Sequence, residues 1–178
     1  MKADKQQNYT TKSINFDLPK VSDGSSIYNL IKSSGNLDVN SEYLYLLLCE
    51  HYSDTCSVAK SGDEIIGFTS AYFIPNQNDT LFIWQVAVSP DHRNQGIALK
   101  MIKDILNRDF CNNVKSVQAT ISPSNKASRA LFKSLAYEFN TNICEKPFFD
   151  KNNFNNTHED ENLFTVGPLS SNQKQEVS

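Results

Sequence analysis

Residues 81–98 read Leu81-Phe-Ile-Trp-Gln-Val-Ala-Val-Ser-Pro-Asp-His-Arg-Asn-Gln-Gly-Ile-Ala98. The first part is β-branched, aromatic or otherwise apolar apart from one glutamine, which predicts a buried strand. Pro90 removes a backbone donor and ends the strand, and Gly96 precedes apolar residues at helical spacing. A loop that runs into a helix N-terminus presents backbone N–H groups and the positive end of the helix dipole. The stretch therefore predicts a phosphate-binding turn between a central strand and a helix.

Length and composition bound the class of protein. The 178 residues are enough for one domain with a sizeable core, and the 39% hydrophobic content suits a mixed α/β fold. A net charge of −3 gives no long-range attraction to nucleic acid or to an anionic membrane. No apolar run approaches the roughly 20 residues that span a bilayer, and the N-terminus lacks the apolar core of a signal peptide. We expect a cytoplasmic protein whose four cysteines are reduced.

Hydrophobic periodicity divides the chain into strands and helices. Strands are predicted at 13–18, 55–60, 64–73, 80–88, 114–121, 163–166 and, weakly, 139–144. Helices are predicted after Ser22, after Asn40 or Ser41, from Ile97 to Leu106 and from Ala127 to Leu135. The asparagine-rich, acidic segment 148–162 is predicted to be an exposed loop, a candidate lid over a site. The predicted organisation is a disordered segment 1–12, a single domain 13–167 and a flexible tail 168–178.

The order Arg93-x-x-Gly96-x-Ala98 behind a buried strand resembles the acetyl-CoA pyrophosphate loop of the Gcn5-related N-acetyltransferases (GNAT). The alternative is a tight strand-to-helix turn without a ligand. The resemblance implies an α/β fold: a mixed, mostly antiparallel sheet splayed at the central strand, with helices on both faces. It also implies acetyl-CoA as co-substrate and homodimers. No metal is expected, because Cys49, His51 and Cys56 lack the ligand spacing of a structural zinc site and a thioester is already activated. Many members carry a small residue or glycine where this chain has Asn94.

The family resemblance assigns coenzyme contacts to individual residues. A backbone N–H of Val86 or Val88 would face the thioester oxygen, which requires a bulge in the strand. Asn125 would bind the pantetheine arm or, equally, cap a helix. Phe132 stands where many relatives have a tyrosine that protonates the departing thiolate, so either Tyr137 or Tyr43 serves or the thiolate leaves unassisted. The expected coenzyme-binding residues are Val86, Val88, Arg93, Asn94, Gln95, Gly96, Ala98, Asn125 and Phe132.

Four further segments resemble a narrower family, the L-2,4-diaminobutyrate acetyltransferases of ectoine synthesis. They are Asp23-Gly24, 37–49, 82–88 and 125–132. The resemblance implies acetyl transfer to the γ-amine of L-2,4-diaminobutyrate. It places substrate contacts at Asp38, Asn40, Trp84 and His158, and catalytic roles at Glu161, as proton acceptor, and Tyr43.

The chemistry of an amine acceptor suits these residue types. An alkyl ammonium with a pKa near 10 is neutral in only about one molecule in a thousand at pH 7, so a carboxylate that takes its proton would help. Asp38 and Glu161 would form an anionic pocket, and the face of Trp84 would attract an ammonium. Without the resemblance, Trp84 would be a core residue, Asp38 and Asn40 turn or cap residues, and His158 and Glu161 solvated surface. Two other functions remain open: transfer to another small amine or a protein amine, and coenzyme A binding without catalysis.

Overall fold

The computed structural model describes residues 13–35, 37–155 and 158–169. Within them lie seven strands and four α-helices joined by short turns. The strands are β1 (Ile14–Asp17), β2 (Cys56–Ser61), β3 (Glu64–Phe73), β4 (Thr80–Val88), β5 (Ser116–Ile121), β6 (Asn142–Phe149) and β7 (Glu161–Gly167). The helices are α1 (Gly24–Ser34), α2 (Glu42–His51), α3 (Ile97–Leu106) and α4 (Lys126–Glu138). None of the described helices is both long enough and apolar enough to cross a membrane.

The strands form one sheet in the order β1-β2-β3-β4-β5-β7-β6. Every neighbouring pair is antiparallel except β4 and β5, which are parallel. The parallel pairing covers only Thr80–Phe82 of β4, opposite Ser116 to Gln118. Because β4 continues to Val88 without this partner, the two strands separate toward their carboxyl ends. The predicted fold class, a mixed sheet splayed at the central strand, is confirmed.

Two helix pairs cover opposite faces of the sheet. Ile27, Ile31 and Tyr45 from α1 and α2 pack on Val58 and Phe68. On the other face, residues of α3 and α4 pack on strands β3, β4, β5 and β7. The second cluster includes Leu81, Ile83, Ile102, Phe132 and Phe164. The splayed end of β4 therefore opens between two packed layers.

A bulge interrupts the pairing of β3 with β4. Ser70 pairs with Gln85 and Ala71 pairs with Ile83, so Trp84 is an extra residue on β4. Side chains alternate along a strand, and one extra residue reverses which face the following side chains meet. Ile83 packs in the cluster under α3 and α4, whereas Ala87 packs with α1 and α2. A bulge therefore lies within the predicted central strand, where the family resemblance implied one.

The largest departures from the predicted elements lie near the C-terminus. β6 spans Asn142–Phe149 and not 139–144, and Glu161 begins β7 instead of lying in a loop. Every residue of β6 is exposed, so the strand lacks the alternating burial that would mark it in sequence. Leu169, expected in the tail, is buried and donates its N–H to the carbonyl of Lys115 at 2.7 Å. The predicted disordered segment 1–12 and residues 170–178 lie outside the described residues.

The helix starts were predicted less accurately than the helix bodies. α1 begins at Gly24 after a short 3-10 turn, two residues beyond the predicted cap at Ser22. A Cβ at Gly24 would come within 2.6 Å of a methyl group of Leu46, so glycine here permits the close approach of α1 to α2. Ser41, one of the two residues predicted to cap α2, occupies the N-cap position, but its side chain makes no capping hydrogen bond.

Candidate active site

The turn between β4 and α3 has left-handed backbone geometry at two positions. The φ angles of Asn94 and Gly96 are 61° and 74°. Asparagine is among the non-glycine residues that tolerate this region best, which accounts for Asn94 at a position where the family resemblance implied a small residue or glycine. Gly96 then caps α3, whose first residue is Ile97. The turn places the backbone between Arg93 and Ala98 at a helix N-terminus, as the sequence predicted for a phosphate site.

The side chain of Arg93 holds this turn in place. Its Nε donates to the carbonyl of Val88 at 3.3 Å, and its Nη2 donates to the carbonyl of Ser34 at 3.2 Å. The guanidinium thus joins the end of β4 to the last turn of α1.

A cavity of about 410 Å³, here called the loop cleft, opens beside this turn. It is bounded by the splayed end of β4, the start of α3 and the first half of α4. Of the predicted coenzyme-binding residues, those that line it are Val86, Val88, Arg93, Asn94, Gly96, Ala98 and Asn125.

A second cavity of about 440 Å³, here called the acidic cleft, lies on the other side of Val86. The predicted site residues that line it are Asp38, Asn40, Trp84, Val86, Asn125, Phe132, His158 and Glu161. Trp84 is the bulged residue and is 44% exposed, so it presents its ring to this cleft instead of filling the core. The two clefts share Leu37, Val86, Asn125, Ser128 and Leu131, and they meet at the splay.

The described residues contain no group of three or more His, Cys, Asp or Glu side chains placed to hold a metal ion.

The sequence model of the acetyltransferase (GNAT) family matches residues 25–137. The L-2,4-diaminobutyric acid acetyltransferase of Shouchella clausii is 46% identical over 154 residues, which are 86% of either chain. The chain belongs to the L-2,4-diaminobutyric acid acetyltransferases, within the GNAT family. The corresponding protein of Marinococcus halophilus is 43% identical over 163 residues, covering 91% of this chain and 94% of the relative.

A solved structure agrees with the sequence relatives. Diaminobutyrate acetyltransferase EctA from Paenibacillus lautus, in complex with its substrate L-2,4-diaminobutyric acid and coenzyme A, superimposes with a TM-score of 0.85. It is 40% identical in sequence, and the match covers 88% of this chain and 96% of that one. The ribosomal-protein-S18-alanine N-acetyltransferase of Escherichia coli has a TM-score of 0.63 at 15% identity, which indicates a shared fold alone.

Glu161 is the more buried of the two carboxylates that line the acidic cleft. Its side chain is 16% exposed, and its Oε1 lies 3.9 Å from Nδ1 of His158. Burial raises the pKa of Glu161 above its usual range; a protonated His158 and a hydrogen bond from Thr120 oppose the rise, and Asp38 adds to it. A carboxylate with a raised pKa binds a proton more readily than an ordinary glutamate, which suits a proton acceptor.

An aromatic stack positions His158. Its ring lies over Phe154 with a centroid distance of 4.0 Å and an interplanar angle of 15°. Nδ1 of His158 is also 2.9 Å from the carbonyl oxygen of Glu159, so it can donate there. The segment between β6 and β7, predicted as a loop, therefore brings Phe154 and His158 to the wall of the cleft.

Asn125 combines the two roles that the sequence left open. Its Oδ1 accepts from the backbone N–H of Ser128 at 3.0 Å and caps α4, while the residue lines both clefts. The cap uses only the oxygen of the amide, so the amide NH₂ can still donate to a ligand.

The structure does not bring every predicted site residue to the clefts. Tyr43 and Gln95 are not among the described residues that line the two clefts. Tyr43 is 66% exposed on α2, and Tyr137 is 88% exposed on α4. Phe132 is buried and packs edge-to-face on Phe164, so it contributes an apolar wall to the acidic cleft.

Several lining residues were not anticipated from sequence. They are Ser34, Leu37, Gln85, His92, Thr120, Ser122, Ser128, Leu131, Ser134, Phe149 and Phe154. They come from segments far apart in sequence, and only the tertiary arrangement identifies most of them. Gln85 did carry a sequence signal, since it is the one polar residue in the run from Leu81 to Val88.

Proposed function

We propose that this chain transfers the acetyl group of acetyl-CoA to the 4-amino group of L-2,4-diaminobutyrate. The products are 4-N-acetyl-L-2,4-diaminobutyrate and coenzyme A, and the reaction belongs to the synthesis of the compatible solute ectoine. The observation that carries the proposal is the junction at Val86, where the loop cleft meets the acidic cleft on the splayed strand. A donor held in one cleft and an amine held in the other would meet there.

The loop cleft fits a pyrophosphate because its turn has backbone N–H groups at a helix N-terminus. Asn94 and Gly96 supply the left-handed geometry, and α3 contributes its dipole. When bound, acetyl-CoA supplies an acyl group already activated as a thioester. The N–H of Val86 or Val88, on the stretch of β4 beyond its pairing with β5, polarises the thioester carbonyl.

The acidic cleft binds the diamine as a cation and takes a proton from it. Asp38 and Glu161 provide negative charge, and the ring of Trp84 faces the cleft. Glu161 accepts the proton of the 4-ammonium, and the neutral amine then attacks the thioester carbon directly, without an acyl-enzyme. A protonated His158, whose Nδ1 lies 3.9 Å from Oε1 of Glu161, opposes the rise in the pKa of Glu161.

Thiolate departure needs no tyrosine in this proposal. Phe132 has no proton to give, and Tyr43 and Tyr137 line neither cleft in the described part of the chain. An alkyl thiol has a pKa of about 8.5, so its thiolate is a tolerable leaving group near neutral pH.

One assay tests the reaction. Purified protein with acetyl-CoA is given diaminobutyrate, ornithine, lysine or no amine, and thiol release is followed. We expect rapid release with diaminobutyrate alone, and mass spectrometry should locate the acetyl group on the 4-amino nitrogen. Preference for ornithine or lysine would refute the substrate assignment, and tight coenzyme binding without release in any mixture would indicate a binding protein.

We also propose that the protein is a cytoplasmic homodimer. Cys49, Cys56 and Cys144 are thiols and not disulfides, which suits a reducing compartment. β6 is an exposed edge strand carrying Ile143, Phe148 and Phe149 on its surface, a hydrophobic edge that a second copy would cover. Light scattering coupled to size exclusion should give twice the 20.1 kDa mass of the chain; a monomer mass at micromolar concentration would refute the dimer.

A further inference from the structure

The side chain of Gln85 is buried between the sheet and the segment that carries Asp38. It is 6% exposed. Its Nε2 donates to the backbone carbonyl of Asp38 at 3.0 Å, and its Oε1 accepts from the hydroxyl of Tyr45 at 3.4 Å. The Asp38 carbonyl can only accept, so the amide must direct its nitrogen toward Asp38 and its oxygen toward Tyr45. One side chain therefore joins the central strand, α2 and the wall of the acidic cleft.

The bulge at Trp84 is the reason that Gln85 reaches this position. In a regular strand, Gln85 would share a face with Leu81 and Ile83, under α3 and α4. The extra residue reverses the alternation, so Gln85 pairs with Ser70 and faces α1 and α2. The bulge that places Trp84 in the acidic cleft also turns the neighbouring Gln85 toward Asp38.

The two partners of Gln85 differ in how firmly the fold holds them. Tyr45 is fully buried, tilted against Tyr28 at 6.2 Å and edge-to-face with Phe68 at 6.4 Å between ring centroids. Asp38 lies within residues 37–41, which precede α2 and belong to neither helix nor strand. Gln85 thus links a rigid point of the core to an irregular segment, and the rigid side determines the geometry.

We propose that Gln85 is a positioning residue that sets the place of Asp38 in the acidic cleft and thereby the affinity for the amine. The inference rests on the proposed function, because it assigns Asp38 to amine binding. Gln85 acts through the backbone of Asp38 and not by contact with the reacting atoms. The competing explanation is that Gln85 merely satisfies buried hydrogen bonds and stabilises the fold.

Kinetics of Gln85→Met separate these explanations. Methionine keeps the length of the side chain and removes both hydrogen bonds. We expect the KM for the amine to rise about 5- to 150-fold, with the KM for acetyl-CoA changed less than about twofold. Tyr45→Phe is the matched control, since it removes only the longer bond and leaves Asp38 held; its amine KM should rise less than about threefold. Equal changes in both KM values, or no change in the amine KM, would overturn the proposal.

A double-mutant cycle tests the route through Asp38. If Gln85 acts through Asp38, Gln85→Met should add less than about twofold to the amine KM of Asp38→Asn. Multiplicative effects would show that Gln85 acts independently of Asp38. Should Gln85→Met fail to fold, Gln85→Glu keeps the size and the acceptor for Tyr45 but, when ionised at pH 8, cannot donate to Asp38; it should raise the amine KM similarly.

Hydrogen exchange gives an answer that does not depend on the substrate. In full-length Gln85→Met, amides in residues 37–41 should exchange at least about tenfold faster than in wild type, while those in the middle of α2 stay unchanged. If diaminobutyrate proved not to be the substrate, the wild-type amine panel would show it separately. Unchanged exchange at 37–41 would overturn the positioning role whatever the amine.

Discussion

Replacing Glu161 by glutamine removes the proposed proton acceptor while keeping the size of the side chain and its ability to accept from Thr120. Without an acceptor, the reaction would depend on amine that is already neutral. With an ammonium pKa near 10, that fraction is about one in a thousand at pH 7 and about one in ten at pH 9. We therefore expect Glu161→Gln to lower kcat/KM for diaminobutyrate by about 10³ at pH 7 and only about tenfold at pH 9, within the usual range for a general base.

The same substitution should leave stability unchanged or raise it. Burial raises the pKa of Glu161, so the folded protein binds this proton more tightly than the unfolded chain does. The stabilising contribution of that raised pKa is fully present below the unfolded pKa and is lost as the pH rises through the folded pKa. At pH 8 the ionised carboxylate is therefore a cost to the folded state, which the neutral amide avoids. Function and stability should move in opposite directions.

The assay is thiol release from pH 6 to pH 10, together with thermal unfolding at pH 8. Glu159→Gln is the matched control. Glu159 is exposed, and its pKa is lowered by hydrogen bonds from the side chain of Ser124 and from the Ser124 backbone N–H, the latter at 3.0 Å. We expect its kcat/KM to stay within about threefold of wild type, as for a surface carboxylate. A Glu161→Gln enzyme with wild-type turnover at pH 7, or with a loss that does not shrink at high pH, would refute the role of Glu161.

Three further substitutions test other parts of the site and fold. Trp84→Ala should raise the KM for the diamine about 2- to 30-fold, the loss of a cation–π contact, with little change in Tm because the ring is 44% exposed. Asn94→Val should raise the KM for acetyl-CoA, measured with Asn94→Gly as the tolerated control, because a β-branched residue is strained at a φ of 61°. Arg108→Met should lower Tm by about 5–15 °C with kcat largely retained, because Arg108 donates to three carbonyls between Ser53 and Cys56 and pairs with Asp104.

The sequence predicted the central elements well because their patterns are strong. β4 and α3 have the predicted bounds, and the β2–β3 hairpin differs by one residue at each end of β2. These elements bury one face or both, so apolar residues recur with a clear period. β6 has no such period because it is exposed on both faces, and its asparagine and proline residues further weaken a strand assignment. The start of β7 at Glu161 was missed for a related reason, since its position depends on pairing with β5 and β6.

The site residues show the same contrast between local sequence patterns and positions that depend on tertiary pairing. Those in the turn after β4 follow from a local motif, and the structure places Arg93, Asn94, Gly96 and Ala98 around one cleft. The acidic cleft is assembled from segments far apart in sequence, so only the resemblance to a family suggested its members. Tyr43 shows the limit of that approach: it stands within a matching segment, yet it faces outward from α2.

The bulge at Trp84 explains why one strand can serve both clefts. The run from Leu81 to Val88 is apolar at nearly every position, so no alternation of polar and apolar residues reveals where the phase changes. Ahead of the bulge, Leu81 and Ile83 pack under α3 and α4; after it, Ala87 packs under α1 and α2 and Val86 faces the junction of the clefts. A regular strand would bury Gln85 under α3 and α4, away from Tyr45 and Asp38, and would turn Val86 from the junction. One inserted residue therefore determines where the donor, the amine and the residue that positions Asp38 are held, and it does so without itself being part of the core.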